Sequence, residues 1–281
     1  MKNDGLSTLY VVATPIGNLD DLSQRAIAVL QQVDKIAAED TRHSASLLKH
    51  YLIKKPMLSL HNFNERERVS AILDALRAGE SIALISDAGT PLISDPGYHL
   101  VRAVRAANFR VVPIPGACAA IAALSAAGLP TDKFMFEGFL PAKAEARRQQ
   151  LLRLQKEPRT LVFYEAPHRL LPTLQAMIEV FSGEREVVVA RELTKLYESI
   201  LQLPLAEMLA YYTAHPERCK GEVVMVLAGA REAATDQVEL ERILTILLAS
   251  LPLKQAANLA AELTGERKND VYALALQLKP S

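Results

Sequence analysis

The residues of this chain that can do chemistry gather in short loops rich in glycine, proline and acidic groups. The stretch SDAGTPLISDPG, residues 86–97, follows directly on the apolar run Ile82 to Ile85 and contains no Lys, Arg or His. A phosphate cradle of the Gly-Lys-Ser/Thr type is therefore excluded. Asp87 stands at the predicted strand end, with Ala88, Gly89, Thr90 and Pro91 behind it. Gly89 allows close backbone approach, and an aspartate beside it suits a neutral or cationic ligand bearing hydroxyl and amino groups. An Asx-turn is the plain structural alternative. In the second half, Asp95-Pro96-Gly97 reads as a helix start, with Asp95 as N-cap and Pro96 at the first helical position.

Three further loops follow predicted strands, where ligands gather in open α/β sheets. TPIGNLDD, 14–21, makes a tight exit through Pro15, Ile16 and Gly17, and taken by itself it is better explained as an ordinary strand-to-helix turn capped by Asn18 or Asp20. PGACAAIAALSAAGL, 115–129, opens a helix on small residues, leaving backbone N–H groups free for a carboxylate or room for a flat adenine; close helix-to-sheet packing has the same composition. FYEAPHRL, 163–170, and VARELTK, 189–195, bring Tyr164, Glu165, His168, Arg169, Arg191 and Lys195 to strand ends, although surface ion pairing accounts for any one of them. His43, His50, His61, His99 and His215 form no metal-ligand spacing, so no metal is expected. There is no GxSxG elbow, and neither cysteine has the flanks of a nucleophile.

The elements that must position these loops alternate. Leu9–Ala13, Lys35–Ala38, Ile82–Ser86 and Arg110–Ile114 read as strands, and 20–32, 65–78 and 97–107 carry apolar residues at helical spacing. That pattern predicts an α/β domain on a mainly parallel sheet. After Pro113 and Pro115 an Ala-rich helix, 117–127, begins. The rhythm then resumes with strands FMFEGF, TLVFYE, EVVVAR and EVVMVLAG and helices 143–156, 168–180 and 204–214, a second α/β domain ending near Gly229. A polar linker, AREAATDQ, leads into three helices at 238–250, 253–263 and 269–278, of helix-turn-helix type or a helical packing tail. The expected division is 1–115, 116–232 and 236–281.

Half of the 281 residues are apolar, enough for two cores, and the formal net charge is zero. Nucleic acid held by global charge is thereby excluded, and any RNA contact must rest on local patches. The segment 142–159 holds six basic and two acidic residues, among them Lys143, Arg147 and Arg148, a surplus that can face phosphates or simply be solvated. Cys118 and Cys219 suggest neither a disulfide nor zinc. With no apolar leader and no membrane-length run, the sequence predicts a soluble, cytoplasmic protein.

Taken together and in order, LYVVATPIGNLDDLSQRA, AAEDTRH, ISDAGTPLISDPG, VPIPGACAAIAALSAAGLP, GFLPAK, FYEAPHR, ARELTK and KGEVV resemble the ribosomal RNA small-subunit methyltransferase I family of the tetrapyrrole-methylase-like superfamily. The resemblance covers residues 8 to 229, and LPLKQAANLAAELTGERKN looks like the family's C-terminal helix-turn-helix extension. It implies two α/β domains with S-adenosyl-L-methionine in the cleft between them, a homodimer, and 2′-O-methylation of cytidine 1402 in the 16S RNA of the 30S subunit. On this footing the cofactor is expected at Pro15, Ile16, Asp87, Ala88, Gly89, Thr90, Pro91, Ala119, Ala120, Tyr164 and Ala190. Ala13 and Ala117 stand where the family pattern suggests proline. Glu39 or Glu165 is the expected base, and Arg191 or Lys195 the electrostatic helper for the forming alkoxide. Arg42, His43 and Arg169 join the basic segment as expected RNA contacts. The competing classes are a methylase of a tetrapyrrole or other small molecule, with no use for the basic helix or terminal module, and a catalytically silent RNA-binding protein, with no need of the cleft.

Overall fold

The computed structural model describes residues 7–61, 64–230 and 237–278. Readings that fall on residues 1–6, and on the linker between 231 and 236, lie outside the described residues. The chain divides into a large unit, Met1–Gln155 with Arg159–Ala228, and a small one, Lys156–Pro158 with Gly229–Ser281.

In the large unit the first half alternates β1 (Thr8–Val12), α1 (Gln24–Gln32), β2 (Lys35–Ala38), α2 (Thr41–His50), β3 (Met57–Ser59), α3 (Glu65–Arg77), β4 (Ile82–Ile85), α4 (Tyr98–Ala106) and β5 (Arg110–Ile114). The strands form one wholly parallel sheet in the order β3-β2-β4-β1-β5. Parallel strands covered on both faces need continuous apolar runs, and Ile82, Ala83, Leu84 and Ile85 are all buried. This order makes neighbours of the loops that leave β2, β4, β1 and β5.

The second half runs α5 (Ala119–Ala126), β6 (Phe134–Phe139), α6 (Ala144–Arg153), β7 (Thr160–Glu165), α7 (Leu170–Phe181), β8 (Glu186–Arg191), β9 (Ser199–Pro204), α8 (Leu205–Ala214) and β10 (Val223–Leu227). Its sheet, ordered β6-β7-β10-β8-β9, is mixed: β6 and β7 are parallel, and the other pairs are antiparallel. Ala120, Ala123 and Leu124 of α5 pack on Val162, Val188 and Val226 of one face. Leu151, Leu174, Met177 and Met208 of α6, α7 and α8 cover Phe163, Val189 and Met225 of the other. The small residues of α5 thus serve close helix-to-sheet packing.

Three elements were not expected: α2, β3 and β9. Helix α2 starts because the Asp40 carboxylate accepts the N–H groups of Arg42 and His43. The Asp95 N-cap reading is overturned. The N-cap of α4 is Gly97, at φ +128°, and the N–H of Leu100 is instead taken by the buried Glu65 carboxylate, 2.9 Å away, from α3. Ser23, not Asn18 or Asp20, caps α1; Asn18 caps the short 3-10 turn Leu19–Asp21 before it.

The small unit contains α9 (Gln237–Leu248), α10 (Leu253–Thr264) and α11 (Lys268–Leu278) around Leu244, Ala257, Ala260, Val271 and Ala275. Gly265, in the left-handed region at φ +75°, ends α10 with its N–H on the Ala261 carbonyl. Among the described residues no helix is long and apolar enough to cross a membrane.

Candidate active site

A cleft of about 450 Å³ lies where the carboxyl ends of the first sheet meet one edge of the second sheet's strands. Its first wall is made of loops tied to each other through backbone. Thr14 and Gly89 exchange both N–H···O bonds, at 2.8 and 3.1 Å, and the Thr90 hydroxyl donates to the Ala117 carbonyl at 3.0 Å. Gly89 sits at φ +81°, and a Cβ there would press on Ile16 at 3.3 Å. Gly116 is forced small by a different contact, since its Cβ would lie 2.9 Å from the Ala13 methyl.

The opposite wall follows from strand register. Val224 pairs with Tyr164 on one side and Ala190 on the other, so three side chains in one row face the same way into the cleft. The Tyr164 hydroxyl accepts the N–H of Ala120 at 3.2 Å, its ring meets Phe136 and Phe139 edge-on, and burial raises its pKa. A phenol that stays protonated here acts as a neutral polar surface.

Charge in the cleft is one-sided. Among the described residues its lining includes Glu39, Asp87, Asp95, Glu165 and Glu222, and no Lys, Arg or His. Asp87 Oδ1 accepts the Asp40 N–H at 3.1 Å, and the Asp87 N–H in turn donates to Glu39. Burial, then the carboxylates of Asp95 and Asp87, raise the pKa of Glu39; burial, with Asp87 adding to it, raises that of Asp95. Three crowded carboxyl groups without a protein cation form a site for a positively charged ligand. Backbone strain gathers on the same loops: Leu92 and Ser94 have φ of +74° and +68°, Glu192 and Thr194 of +52° and +67°.

The model of the tetrapyrrole (corrin/porphyrin) methylases matches residues 8–209, and that of the RsmI C-terminal HTH domain matches residues 234–279. Ribosomal RNA small subunit methyltransferase I of Pseudomonas aeruginosa is 57% identical over 273 residues, covering 96% of this chain and 97% of its own. The chain belongs to the ribosomal RNA small subunit methyltransferase I family. The Vibrio cholerae member of this family is 53% identical over 276 residues, with coverage of 98% and 96%. At the level of fold, the uroporphyrin-III C-methyltransferase of Thermus thermophilus, solved in complex with S-adenyl homocysteine, superposes with a TM-score of 0.55 at 15% identity, covering 79% of this chain and 97% of that one. The architecture is thus the tetrapyrrole-methylase fold, two α/β layers and a C-terminal helical module.

Of the residues that the family resemblance marked, Ile16, Asp87, Ala88, Gly89, Thr90, Ala119, Tyr164 and Ala190 line the cleft, while Pro15, Pro91 and Ala120 stand behind it. Glu39 and Glu165 both reach the lining, in different states. Glu165 Oε1 accepts the Ala166 N–H at 2.8 Å and faces Arg169 at 3.1 Å, and its Oε2 accepts the Thr173 hydroxyl at 2.6 Å. A carboxylate so fully engaged is a structural anchor rather than a base. Arg169 is correspondingly turned inward, onto Glu165 and the Leu140 carbonyl.

Arg191 and Lys195 lie outside the lining. Partial burial works against the Lys195 ammonium, but its bonds to Glu222 at 2.9 Å and Glu192 at 3.0 Å prevail and raise its pKa. Its aliphatic stem rests on the β1 loop, where a Cβ on Gly17 would come within 2.5 Å of Lys195 Cγ. Arg147 is buried, with Nη1 toward the Ala142 carbonyl, so the basic segment presents Lys143 and Arg148 but not Arg147. Arg42 and His43 are exposed at the start of α2. Sequence reasoning missed Ile93, Asp95, Phe139, Leu193 and the 221–224 stretch as lining. For Asp95 the signal was present, a second aspartate in the same loop, but it was read as a cap.

Proposed function

We propose that the protein transfers a methyl group from S-adenosyl-L-methionine to the ribose 2′-hydroxyl of cytidine 1402 in 16S ribosomal RNA, working in the cytoplasm as a homodimer. The observation that carries this reading is near-full-length identity of more than half to a ribosomal RNA small subunit methyltransferase I. The cleft supplies the chemistry. Its carboxylates, with no cation among the lining residues, suit a ligand bearing a sulfonium and an ammonium.

When bound, the cofactor supplies an electrophilic methyl carbon, so the protein's task is chiefly alignment. Asp87 and the backbone of Ala88 to Thr90 hold the polar end, while Ala119, Ala190 and Ile16 leave a flat apolar slot beside Tyr164. Pro15, Pro91 and Ala120 fix these loops from behind. Glu39 takes the hydroxyl proton: it reaches the cleft, and its raised pKa brings it closer to the operating pH than an ordinary glutamate. Arg42, His43, Lys143 and Arg148 are the RNA-side cations.

The test is methyl transfer from labelled S-adenosyl-L-methionine to 30S subunits from cells lacking this protein, with nuclease mapping of the label. Label on one cytidine ribose is expected. Tight cofactor binding with no label in RNA would overturn the reading in favour of a small-molecule methylase.

A further inference from the structure

A second cleft, of about 600 Å³, opens beside the first and shares Gly221 with it. Its walls are the segment between β8 and β9 and the turn before β10, with Arg191, Leu196, Tyr197, Arg218 and Lys220 among the lining. Leu196 is 88% and Tyr197 70% exposed, an unusual state for two large apolar side chains in succession. They do not hang on a loose loop. Arg191 Nη2 donates to the Tyr197 carbonyl at 2.9 Å and Nη1 to the Lys220 carbonyl at 3.4 Å, bracing the two walls against each other. Glu198 holds the Thr194 N–H at 2.6 Å, and Glu192 and Thr194 keep their left-handed backbone. Two adjacent exposed apolar side chains on a braced backbone suit a contact surface.

Charge is sorted within this cleft. Of its three carboxylates, Glu192 is taken up by Lys195 and the Glu222 N–H and Glu198 by the Thr194 N–H, while Glu217 is exposed on the far side of Arg218 from Lys220 in sequence. Arg218 stacks its guanidinium 5.6 Å from the Tyr211 ring centre, and Lys220 is exposed. An exposed phenol flanked by an arginine and a lysine matches single-stranded nucleic acid, whose bases stack on aromatic rings while its phosphates seek cations.

We infer that this second cleft takes the nucleotide adjoining the methylated ribose, its base stacked on Tyr197 and its phosphate met by Arg218 and Lys220. The inference rests on the reading above: the two clefts share Gly221, so a strand whose ribose reaches the first can lead a neighbouring nucleotide into the second. Arg191 is then a positioning residue for the acceptor strand and acts through Tyr197 and Lys220.

The experiment compares the wild type with Tyr197→Ala, Tyr197→Phe and the double variant Arg218→Ala/Lys220→Ala, using 30S subunits that lack the modification. Steady-state methyl transfer gives KM and kcat for the subunits, and calorimetry gives cofactor affinity. Tyr197→Ala is expected to raise KM for the subunits by about tenfold or more, with cofactor affinity unchanged, while Tyr197→Phe stays near wild type. The double variant is expected to raise KM and to flatten its dependence on salt, by roughly 0.7 in logarithmic slope per lost phosphate contact. An unchanged KM in Tyr197→Ala alongside an active wild type would overturn the inference alone; a wild type that leaves RNA unlabelled would remove the reading beneath it. Equal loss of cofactor affinity and RNA affinity would also overturn it, marking Tyr197 as structural.

Discussion

At the scale of single residues, the cleft is governed by carboxylates that crowd one another. Asp87 organises them, bonding the Asp40 N–H while its own N–H reaches Glu39. Asp87→Asn keeps the shape and removes the charge; a charged hydrogen bond contributes about 1.5–3 kcal/mol, so cofactor binding should weaken roughly ten- to a hundredfold in calorimetry. Glu39→Gln should cut kcat by about a hundredfold or more, well beyond the weaker cofactor binding that loss of one cleft carboxylate brings. The pH response has a definite sign. Glu39 and Asp95 have folded-state pKa values above their usual ones, so their ionisation destabilises the free protein at neutral pH, and the penalty disappears as pH falls through the raised values toward the ordinary carboxylate range. A bound cation favours the ionised forms. Cofactor affinity should therefore fall as the pH is lowered from neutral toward the ordinary carboxylate range, while the free protein does not lose stability through these groups; titrations along that descent, paired with melting curves, check both.

At the scale of elements, the helix that follows the SDAGTPLISDPG loop depends on a glycine and a distant glutamate. A Cβ on Gly97 would lie 2.8 Å from Leu84 Cδ2 at φ +128°, whereas Gly79, at φ +90°, has nothing within 4 Å. Gly97→Ala should therefore destabilise by more than the roughly 1–3 kcal/mol of backbone strain that both substitutions incur, and Gly79→Ala by no more than that strain. Urea denaturation of the two variants separates steric from conformational cost.

The same loop shows what was legible in the sequence. Strands Lys35–Ala38, Arg110–Ile114, Phe134–Phe139, Thr160–Glu165 and Glu186–Arg191 are where the apolar runs put them. A buried strand announces itself through composition alone. Strand β3 has only three residues, too few for a period, and β9, on an edge, has half-buried and exposed positions and none fully buried. The Asp95-Pro96 signature was a sound local rule that tertiary structure overrode: Asp95 turns to the carboxylate cluster, and Glu65, remote in sequence, takes over the helix N-terminus. Most loop positions that line the cleft were marked by the family resemblance, in loops that leave strand ends. The direction of each side chain was not, which is why Arg147, Arg169 and Glu165 looked available and are engaged inside.

For the whole molecule, zero net charge means that a polyanion must be gripped in several places at once. On the proposed reading the three-helix unit is one such place. Removing residues 236–281 should weaken methylation of 30S subunits while cofactor affinity stays within about twofold; this is measured by comparing KM for subunits with calorimetry of the cofactor. Equal loss of both would show that the helical unit supports the fold of the cleft instead.

The lysine stem lying on Gly17 makes a compliant spacer between the loop after β1 and the segment after β8, both of which send residues into the cleft. Its thickness is that of a methylene chain whose ammonium is anchored on Glu192 and Glu222. Gly17→Ala would act as a shim, prying these two segments apart without altering any lining group. Since release of product limits many enzymes of this kind of enclosed site, such a shim should shorten the residence time of the spent cofactor more than it alters the chemical step, a difference that pre-steady-state kinetics can resolve.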